Sequence, residues 1–415
     1  VYTKTGNPAA LVFIPICAGR RAGMRIIMGL LDLFRKKDKK PSESSQAKPS
    51  PVNTTEKPIT THSPDSIAPK APSAQVVAGE SITPVSSMLS TLYPNAAGLY
   101  PHEILALEYA PRFCVDDKEF QGFWWYKYGV QDVASLLNSL KQRGFLSLGT
   151  IVDNMKLYKV PELKAVLAEH GIKTTGKKDE LINRLVESIP EIELSKAFPR
   201  CPYKVTETGT IAIKDDEYVL YAHRHQYDGI DIFSLNRLLK GRTKRYRDAI
   251  WRHFNQMSME YAKQGMFGLY RNIRFQMSEF VAEEQRYKEA ALLLVEVVYY
   301  DISGLDNSAL NIEISGSYWF PYDHSIATTA PGIVRRLKEY QEKMALDDKA
   351  FQQLISEHIK KLSSPFHIFT KDECVDIIVL EMKEEKVQIS KMYEKAKKRL
   401  QKQYPKVNFE NHRNL

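Results

Sequence analysis

The sequence predicts a mainly α-helical protein, and three features of its 415 residues indicate this. From Met266 onward, apolar residues recur at three- and four-residue spacing, which is the period of an amphipathic helix. Runs with the character of a strand are short and fall between residues 203 and 221. Hydrophobic residues make up 43% of the chain, which is enough for the cores of two or three folded units joined by linkers.

Residues 1–27 are predicted to be a non-native upstream extension. Their apolar stretch is followed by arginines rather than preceded by them, and a secretory signal has the opposite polarity. We expect translation to begin at Met28, in a style common among bacterial proteins. Residues 28–90 then hold this start and a linker rich in Pro, Ser, Thr and Lys, which is predicted to be disordered because it buries too little surface.

Residues 91–153 form an aromatic-rich region that is predicted to be helical. Six aromatic side chains fall within residues 120–128. Such density usually seals a core, although Trp124 and Trp125 also have the chemistry to stack on bases. An apolar stripe over residues 130–140 predicts a helix that packs against the next unit.

The stretch 154–188 is predicted to form two short helices joined by a glycine-containing bend. Pro161 suits the first turn of a helix because its missing N–H would be unpaired there. Gly171 allows the left-handed conformation that ends a helix, and Ile172 turns back toward the core. Each helix has one apolar stripe, formed by Leu163, Val166 and Leu167 in the first and by Leu181, Ile182 and Leu185 in the second. Helices this short need tight packing or neighbours to be stable.

This pattern resembles the SAP motif, a small helix–turn–helix-like module that binds DNA. The residues that carry the resemblance are Val160, Glu162, Leu163, Val166, Leu167, Gly171, Gly176, Lys177, Lys178, Glu180, Leu181, Ile182, Arg184 and Leu185. The run from Gly176 to Leu185 is its most specific part. The resemblance covers about 35 of the 415 residues and implies DNA binding. The style of the N-terminus at Met28 indicates a protein of bacterial or prophage type.

The residue types also indicate phosphate contacts at the start of the second helix. Unpaired backbone N–H groups favour an anion there, and Lys177 and Lys178 add two positive charges. Such contacts position a protein on nucleic acid without reading its sequence. The predicted contact residues of this unit are Lys164, Lys173, Thr175, Gly176, Lys177, Lys178 and Arg184. The alternative is an ordinary solvated face, because the unit carries seven basic and five acidic residues.

Residues 189–234 are predicted to form a small β-containing region. Three short β-like runs with polar turns between them lie at residues 203–206, 210–213 and 218–221. His223 and His225 are interpreted as solvated loop residues, because they lack the helical or paired-cysteine context of a metal site.

Residues 235–415 are predicted to form an α-helical domain that resembles a tetratricopeptide-type array, without the clean repeat of about 34 residues. Its helices are expected at residues 267–284, 287–301, 331–346, 348–362 and 370–400. An array of this kind usually holds a partner, so we expect a protein partner to bind through these C-terminal helices.

The densest basic cluster of this domain is a predicted helical segment, Arg237 to Arg252, in which a single acid, Asp248, accompanies seven basic residues. Its cationic edge suits phosphates, and the predicted contacts are Arg242, Lys244 and Arg245. The alternative is a helix whose arginines pair with acids elsewhere in the fold.

Composition and motifs favour a binding protein over an enzyme. The net charge of +9 favours acidic partners such as nucleic acid. The four cysteines are far apart in the sequence, which argues against a disulfide framework and indicates a reducing cytoplasm. Phosphate-binding loops, nucleophile elbows and zinc-peptidase motifs are absent from the sequence, so no catalytic residue, cofactor or metal is predicted.

We therefore predict a cytoplasmic, non-catalytic DNA-binding accessory protein. It contacts the phosphate backbone of double-stranded DNA with weak sequence preference and makes no integral membrane contact. The second hypothesis is an α-helical scaffold for protein–protein contacts. The third is a divergent metal-dependent nuclease, whose candidate acids lack the usual following lysine: Asp215, Asp216, Glu217 and Glu313.

Overall fold

The computed structural model describes residues 82–308, 310–320 and 325–409. The predicted extension 1–27 and the linker up to residue 81 lie outside the described residues. The chain divides into a first unit, residues 82–264 and 269–293, and a second unit, residues 265–268 and 294–409. The described residues are mainly α-helical, which confirms the predicted fold class. None of their helices has the length and apolar character of a membrane span.

Twelve helices and two short strands belong to the first unit, counted over the described residues. In chain order they are α1 (Val85–Met88), α2 (Pro101–Tyr109), α3 (Phe123–Tyr126), α4 (Val133–Gln142), β1 (Leu146–Leu148), α5 (Ile151–Met155), α6 (Val160–Glu169), α7 (Lys178–Ser188), α8 (Glu191–Ala197), β2 (Tyr203–Val205), α9 (Glu207–Asp215), α10 (Tyr218–His225), α11 (Ile232–Leu239) and α12 (Tyr246–Gln264). Ordered structure begins before residue 91, where the predicted aromatic-rich region starts, since α1 begins at Val85 and the Val85 N–H donates to the Gly129 carbonyl at 3.0 Å.

The two strands close the segment that contains α5 to α8. They pair in antiparallel register, with Leu146 opposite Val205 and Leu148 opposite Tyr203. The Gly149 N–H donates to the Pro202 carbonyl at 2.8 Å and extends the ladder by one bond. The sheet therefore holds the two ends of residues 149–202 side by side.

Helices α5 to α8 share one hydrophobic core. Its buried members are Met155, Leu163, Leu167, Leu181, Ile182, Leu185, Ile189, Leu194 and Phe198. The predicted pair of helices thus has its neighbours within its own segment, α5 before it and α8 after it. Helix α4, which we expected to be that neighbour, packs instead on α2 and β1.

Two of the three predicted β-like runs are helical, so the predicted β-containing region keeps only β2. Residues 210–213 lie in α9, where the Thr206 hydroxyl caps the helix by accepting the Gly209 N–H at 3.2 Å. Residues 218–221 begin α10, whose buried side is formed by Tyr218, Val219 and Ala222. Capping and burial on one side outweigh the β preference of branched and aromatic side chains, which depends strongly on context.

The aromatic-rich region seals a core, as its composition predicts. Trp124 is 1% exposed and Tyr128 is fully buried, whereas Trp125 is 38% exposed. His223 was expected in a solvated loop, but it lies on α10 and is half-buried. Its Nδ1 lies 2.7 Å from the Tyr128 hydroxyl and its Nε2 lies 2.8 Å from the Tyr109 hydroxyl. Burial lowers the pKa of His223 to about 4, so this ring is neutral at physiological pH.

Helices α13 (Phe267–Ala282) and α14 (Tyr287–Asp301) contribute residues to both units. Within the first unit, Ala290 and Ala291 are fully buried, as their small size predicts. The Ser278 hydroxyl donates to the Ala290 carbonyl at 2.8 Å, which shows how closely the two backbones approach.

The second unit continues with a further set of helices. These are α15 (Ile312–Ser315), α16 (Pro331–Lys343), α17 (Asp348–Ile359), α18 (Lys371–Met382) and α19 (Lys386–Gln403). The single helix expected over residues 370–400 is wrong, because α18 and α19 are separate helices that pack on each other. The break falls in the run Lys383 to Lys386, where Glu384 has a left-handed φ of 61°.

Candidate nucleic-acid interface

The loop between α6 and α7, residues 170–177, is built on a glycine bend. Gly171 has a φ of 69°, which only glycine adopts readily. Its N–H donates to the Ala168 carbonyl at 3.0 Å, and the Ile172 N–H donates to the Leu167 carbonyl at 2.8 Å. These two bonds form a Schellman motif, in which the residue after the glycine packs against the helix it closes. Ile172 does pack on the core of α5 to α8, as predicted.

His170, the residue before this glycine, joins α6 to α8. Its Nδ1–H donates to the Val166 carbonyl at 2.9 Å, and its Nε2 lies 3.3 Å from a Glu193 carboxylate oxygen. The bond to Val166 is the main cause that raises the pKa of His170, and Glu193 adds to it. His170 therefore helps to fix the start of the loop.

Arg184 holds the rest of the loop in place. From the second turn of α7, one of its guanidinium nitrogens donates to the carbonyls of Lys173 and Thr175, at 3.1 Å in the case of Thr175. A guanidinium suits this task because its planar array of donors has a fixed geometry. Arg184, predicted as a phosphate contact, therefore has a defined role in positioning the loop.

The start of α7 already carries its own negative charge. The Glu180 carboxylate accepts the Lys177 N–H at 3.2 Å, and Asp179 lies in the same first turn. A carboxylate at this position satisfies a backbone donor and offsets the positive end of the helix dipole. Glu180 therefore satisfies one donor of the helix end that we expected to attract a phosphate, and it adds a negative charge there. Gly176 makes room for it, since a Cβ at this position would lie 2.5 Å from a Glu180 oxygen.

The lysines of residues 154–188 differ in their exposure and in whether their ammonium groups bond within the fold. Lys173 and Lys177 are exposed, and neither forms an ion pair within the part of the chain that the structure describes. Lys178 is half-buried and its ammonium donates to the Lys156 carbonyl at 2.6 Å. Lys164 is half-buried on α6. The structure therefore brings the exposed ammonium groups of Lys173 and Lys177 to the two ends of one braced loop, together with the exposed Thr175.

The second predicted cluster is not one helix. Helix α11 ends at Leu239, and a turn of 3-10 helix at Thr243–Arg245 precedes α12. The break occurs because Lys240 has a left-handed φ of 48° and Gly241 one of 81°. Of the predicted contacts, Arg242 is exposed on this connection.

Three further basic residues of this cluster, Lys244, Arg245 and Arg247, are paired, as the alternative interpretation proposed. Lys244 lies 3.1 Å from Asp215, and Arg245 lies 2.7 Å from Asp248, both in exposed pairs. Arg247 is bound on several sides: it contacts Glu283 at 3.0 Å, Glu284 at 2.7 Å and the Phe280 carbonyl at 2.8 Å. Surface pairs of the first kind contribute little to stability, whereas the Arg247 network joins α12 to the end of α13.

Two of the four acidic candidates, Asp215 and Asp216, have partners within the fold. Asp216 is buried and accepts a bond from Asn95 at 2.7 Å; its burial raises its pKa. One group with metal-ligand chemistry occurs among the described residues, Cys114 with Asp116 and Asp117. Its Asp117 carboxylate accepts the Cys114 N–H at 2.7 Å and pairs with Arg200 at 2.7 Å. These contacts explain the position of Asp117 without an ion.

Comparison with known families gives one match, and it falls on this segment. A family model described as SAP domain matches residues 154–190. No curated protein and no solved structure is similar to the chain. The core of α5 to α8 extends beyond the matched residues, because Leu194 and Phe198 belong to this core and follow residue 190. A SAP domain indicates nucleic-acid binding in general.

Proposed function

We propose that this SAP domain-containing protein is a non-catalytic accessory protein that binds the phosphate backbone of double-stranded DNA with weak sequence preference. The contact is made by the loop between α6 and α7, through Lys173, Thr175 and Lys177. A cytoplasmic location follows from the same proposal.

The observation that carries this proposal is the state of the two loop lysines. Lys173 and Lys177 are exposed and form no ion pair among the described residues, while Arg184 fixes the backbone between them. A braced loop presents its ammonium groups without a large ordering cost on binding. Phosphate contacts of this kind give affinity and orientation, and they do not read base edges. This supports weak sequence preference.

The other residues predicted to contact nucleic acid have secondary roles in this proposal. Arg184 holds the loop through bonds to the carbonyls of Lys173 and Thr175, and Lys178 joins the start of α7 to the end of α5 through the Lys156 carbonyl. Gly176 gives the carboxylate of Glu180 space to cap α7. Lys164 on α6, and Arg242, Lys244 and Arg245, are peripheral contacts in this proposal.

The proposal is tested by the salt dependence of binding to a fluorescent DNA duplex, followed by anisotropy with the full chain. The logarithm of the binding constant falls with the logarithm of salt concentration by about 0.9 for each phosphate contact. Lys173→Ala with Lys177→Ala should therefore lower the slope by about 1.8 and weaken binding at low salt. A matched control is Lys196→Ala with Lys263→Ala, which removes the same charge from exposed positions of the first unit.

The proposal is wrong if the loop variant keeps the slope of the wild type. It is also wrong if the control variant loses as much affinity as the loop variant, because binding would then follow net charge alone. The non-catalytic part is tested separately by incubating supercoiled plasmid with magnesium or manganese. We expect intact plasmid, and metal-dependent nicking would favour the nuclease hypothesis.

A further inference from the structure

The second unit carries a stripe of lysines along α19. Lys391, Lys395, Lys398 and Lys402 recur at four-, three- and four-residue spacing, so they share one side of the helix. All four side chains are exposed. The opposite side of the helix is buried and consists of Ile389, Tyr393, Ala396 and Leu400. We call the four lysines the α19 lysine stripe.

The charge of this helix exceeds what its packing needs. α19 carries seven basic residues and one acid, Glu394. Glu373 of α18 pairs with Arg399 at 2.9 Å and with Lys395 at 3.4 Å. Lys391, Lys398 and Lys402 form no ion pair among the described residues.

Neighbouring like charges on a helix are unfavourable. Within the stripe, each lysine is three or four residues from the next, and like-charged pairs at this spacing destabilise a helix by about 0.2–0.5 kcal/mol each. Only Lys402 lies in the last turn, where the helix dipole favours a cation. These repulsions lower the stability of α19, and Glu394, four residues before Lys398, offsets only part of them. No acid among the described residues forms an ion pair with Lys391, Lys398 or Lys402.

We propose that the α19 lysine stripe is a second nucleic-acid contact, which binds the phosphate backbone outside the SAP domain. This inference rests on the proposed function, because it assigns the same polyanion to a second surface. The stripe is about 16 Å long, at a rise of 1.5 Å per residue. Each DNA strand carries a negative charge about every 3.4 Å along the helix axis, so the stripe is long enough to meet several phosphates.

Charge and packing favour nucleic acid over other acidic partners. Protein–protein interfaces are depleted in lysine, because a flexible, strongly hydrated ammonium is costly to bury. A helix that lies on a membrane needs an exposed apolar side, and the apolar side of α19 is buried within the second unit. Phosphate contacts at an exposed surface leave the ammonium groups hydrated and fit lysine chemistry directly.

A second contact on the same chain would raise affinity beyond that of either surface. When two sites on one molecule bind the same polymer, the second binding step becomes intramolecular and its effective concentration is set by the connection between them. Loss of either surface should then weaken binding to a long duplex more than to a short one.

The experiment compares three forms of the full chain in the same anisotropy assay with duplex DNA. The stripe variant is Lys391→Ala with Lys398→Ala and Lys402→Ala, which leaves the Glu373 pairs in place. The matched control is Lys343→Ala with Lys349→Ala and Lys361→Ala, three exposed lysines of the same unit. We expect the salt slope of the stripe variant to fall by about 2.7 and that of the control to stay near the wild-type value. Circular dichroism checks that both variants keep their helices.

The outcomes separate this inference from the proposed function. A stripe variant that binds like the control overturns the inference, whatever the loop variant does. If the stripe variant loses affinity and the loop variant does not, the proposed role of the loop fails and the stripe is the main contact. Vesicles of phosphatidylcholine and phosphatidylserine provide the second arm. A stripe variant that loses vesicle binding but keeps DNA binding would assign the stripe to membranes and overturn the inference.

Discussion

The SAP domain and α19 are both basic, but the fold uses their charges differently. Residues 154–190 hold seven basic and five acidic residues, whereas α19 holds seven basic residues and one acid. In the SAP domain, Lys178 and Arg184 bind backbone carbonyls, and the acids cap both helices. Among the described residues, the basic side chains of α19 that pair with an acid are those of Lys395 and Arg399, and both pair with Glu373. The motif therefore identifies a segment with a defined local structure. The cations without a partner identify the positions at which an anion can bind.

The largest expected effect tests whether the SAP unit extends beyond its matched residues. Phe198 is 2% exposed and packs edge-on against Tyr158 with ring centroids 4.8 Å apart. Phe198→Ala should destabilise the unit by about 3–5 kcal/mol, the usual cost of removing a buried phenyl ring. Hydrogen exchange of peptides from residues 150–198 measures this, and DNA affinity should fall with it. Ile192→Ala is the control on the same helix, because Ile192 is 73% exposed. Equal effects from the two changes would show that the core does not reach α8.

The next effect concerns Arg247, a basic residue whose role we assign to stability. Arg247→Met removes charge-assisted bonds to Glu283 and Glu284 and leaves both acids without this partner. Hydrogen bonds to charged groups contribute about 1.5–3 kcal/mol, so α12 and α13 should exchange faster by that free energy. DNA binding should change little. A variant with wild-type exchange but weakened DNA binding would move Arg247 from the structural group to the binding group.

Acid pH should loosen the anchor of α19. Burial alone raises the pKa of Glu373, but the bidentate bonds from Arg399 at 2.9 Å and the Thr370 N–H outweigh it and lower this pKa from 4.5 to about 2. A depressed pKa in the folded state means that the stabilisation is complete above the unfolded value of 4.5 and is lost as pH falls toward 2. We expect a loss of about 2 kcal/mol in this window, after allowing for the partial exposure of Arg399. Thermal unfolding of Glu373→Gln against pH is the check, because that variant should lack this part of the pH dependence.

The smallest effect separates two adjacent lysines of the SAP domain. Lys178→Ala removes a bond to the Lys156 carbonyl and should cost about 0.5–1.5 kcal/mol of local stability. Lys177→Ala removes no such bond, so it should leave stability unchanged and lower the salt slope of DNA binding by about 0.9. Exchange and anisotropy on both variants measure the two quantities. If Lys178→Ala lowers the slope and Lys177→Ala lowers the stability, the two roles assigned to these lysines are wrong.

Sequence patterns gave the local features of the SAP domain reliably, because they depend on few residues. The bend at Gly171, the return of Ile172 to the core and the buried stripe of α7 all follow from spacing and backbone freedom. The same reasoning failed at α9 and α10, where a Thr206 cap and long-range burial override the β preference of short runs.

The spacing of residues in the sequence did not predict the partners of individual side chains. Lys178 can face a phosphate or the Lys156 carbonyl, depending on how α5 packs beside α7. Lys156 and Lys178 are 22 residues apart in the chain, so local spacing does not decide between the two. The Glu180 cap was not predicted, because the usual signal has Ser, Thr, Asp or Asn three residues before the acid and this chain has Lys177 there. The spacing of the α19 lysine stripe was readable from the sequence, whereas the burial of the opposite side and the pairs with Glu373 came from the structure.

The most direct test of the account is acetylation footprinting of lysines, with and without duplex DNA, read by mass spectrometry on the full chain. We predict that DNA protects Lys173 and Lys177 of the loop and also Lys391, Lys398 and Lys402 of the stripe. Lys178 should react slowly in both states because its ammonium is already bonded, and the exposed control residues Lys196 and Lys349 should react alike in both. If DNA leaves Lys173 and Lys177 as reactive as in the free protein, the loop between α6 and α7 does not bind the phosphate backbone, and the central proposal is wrong.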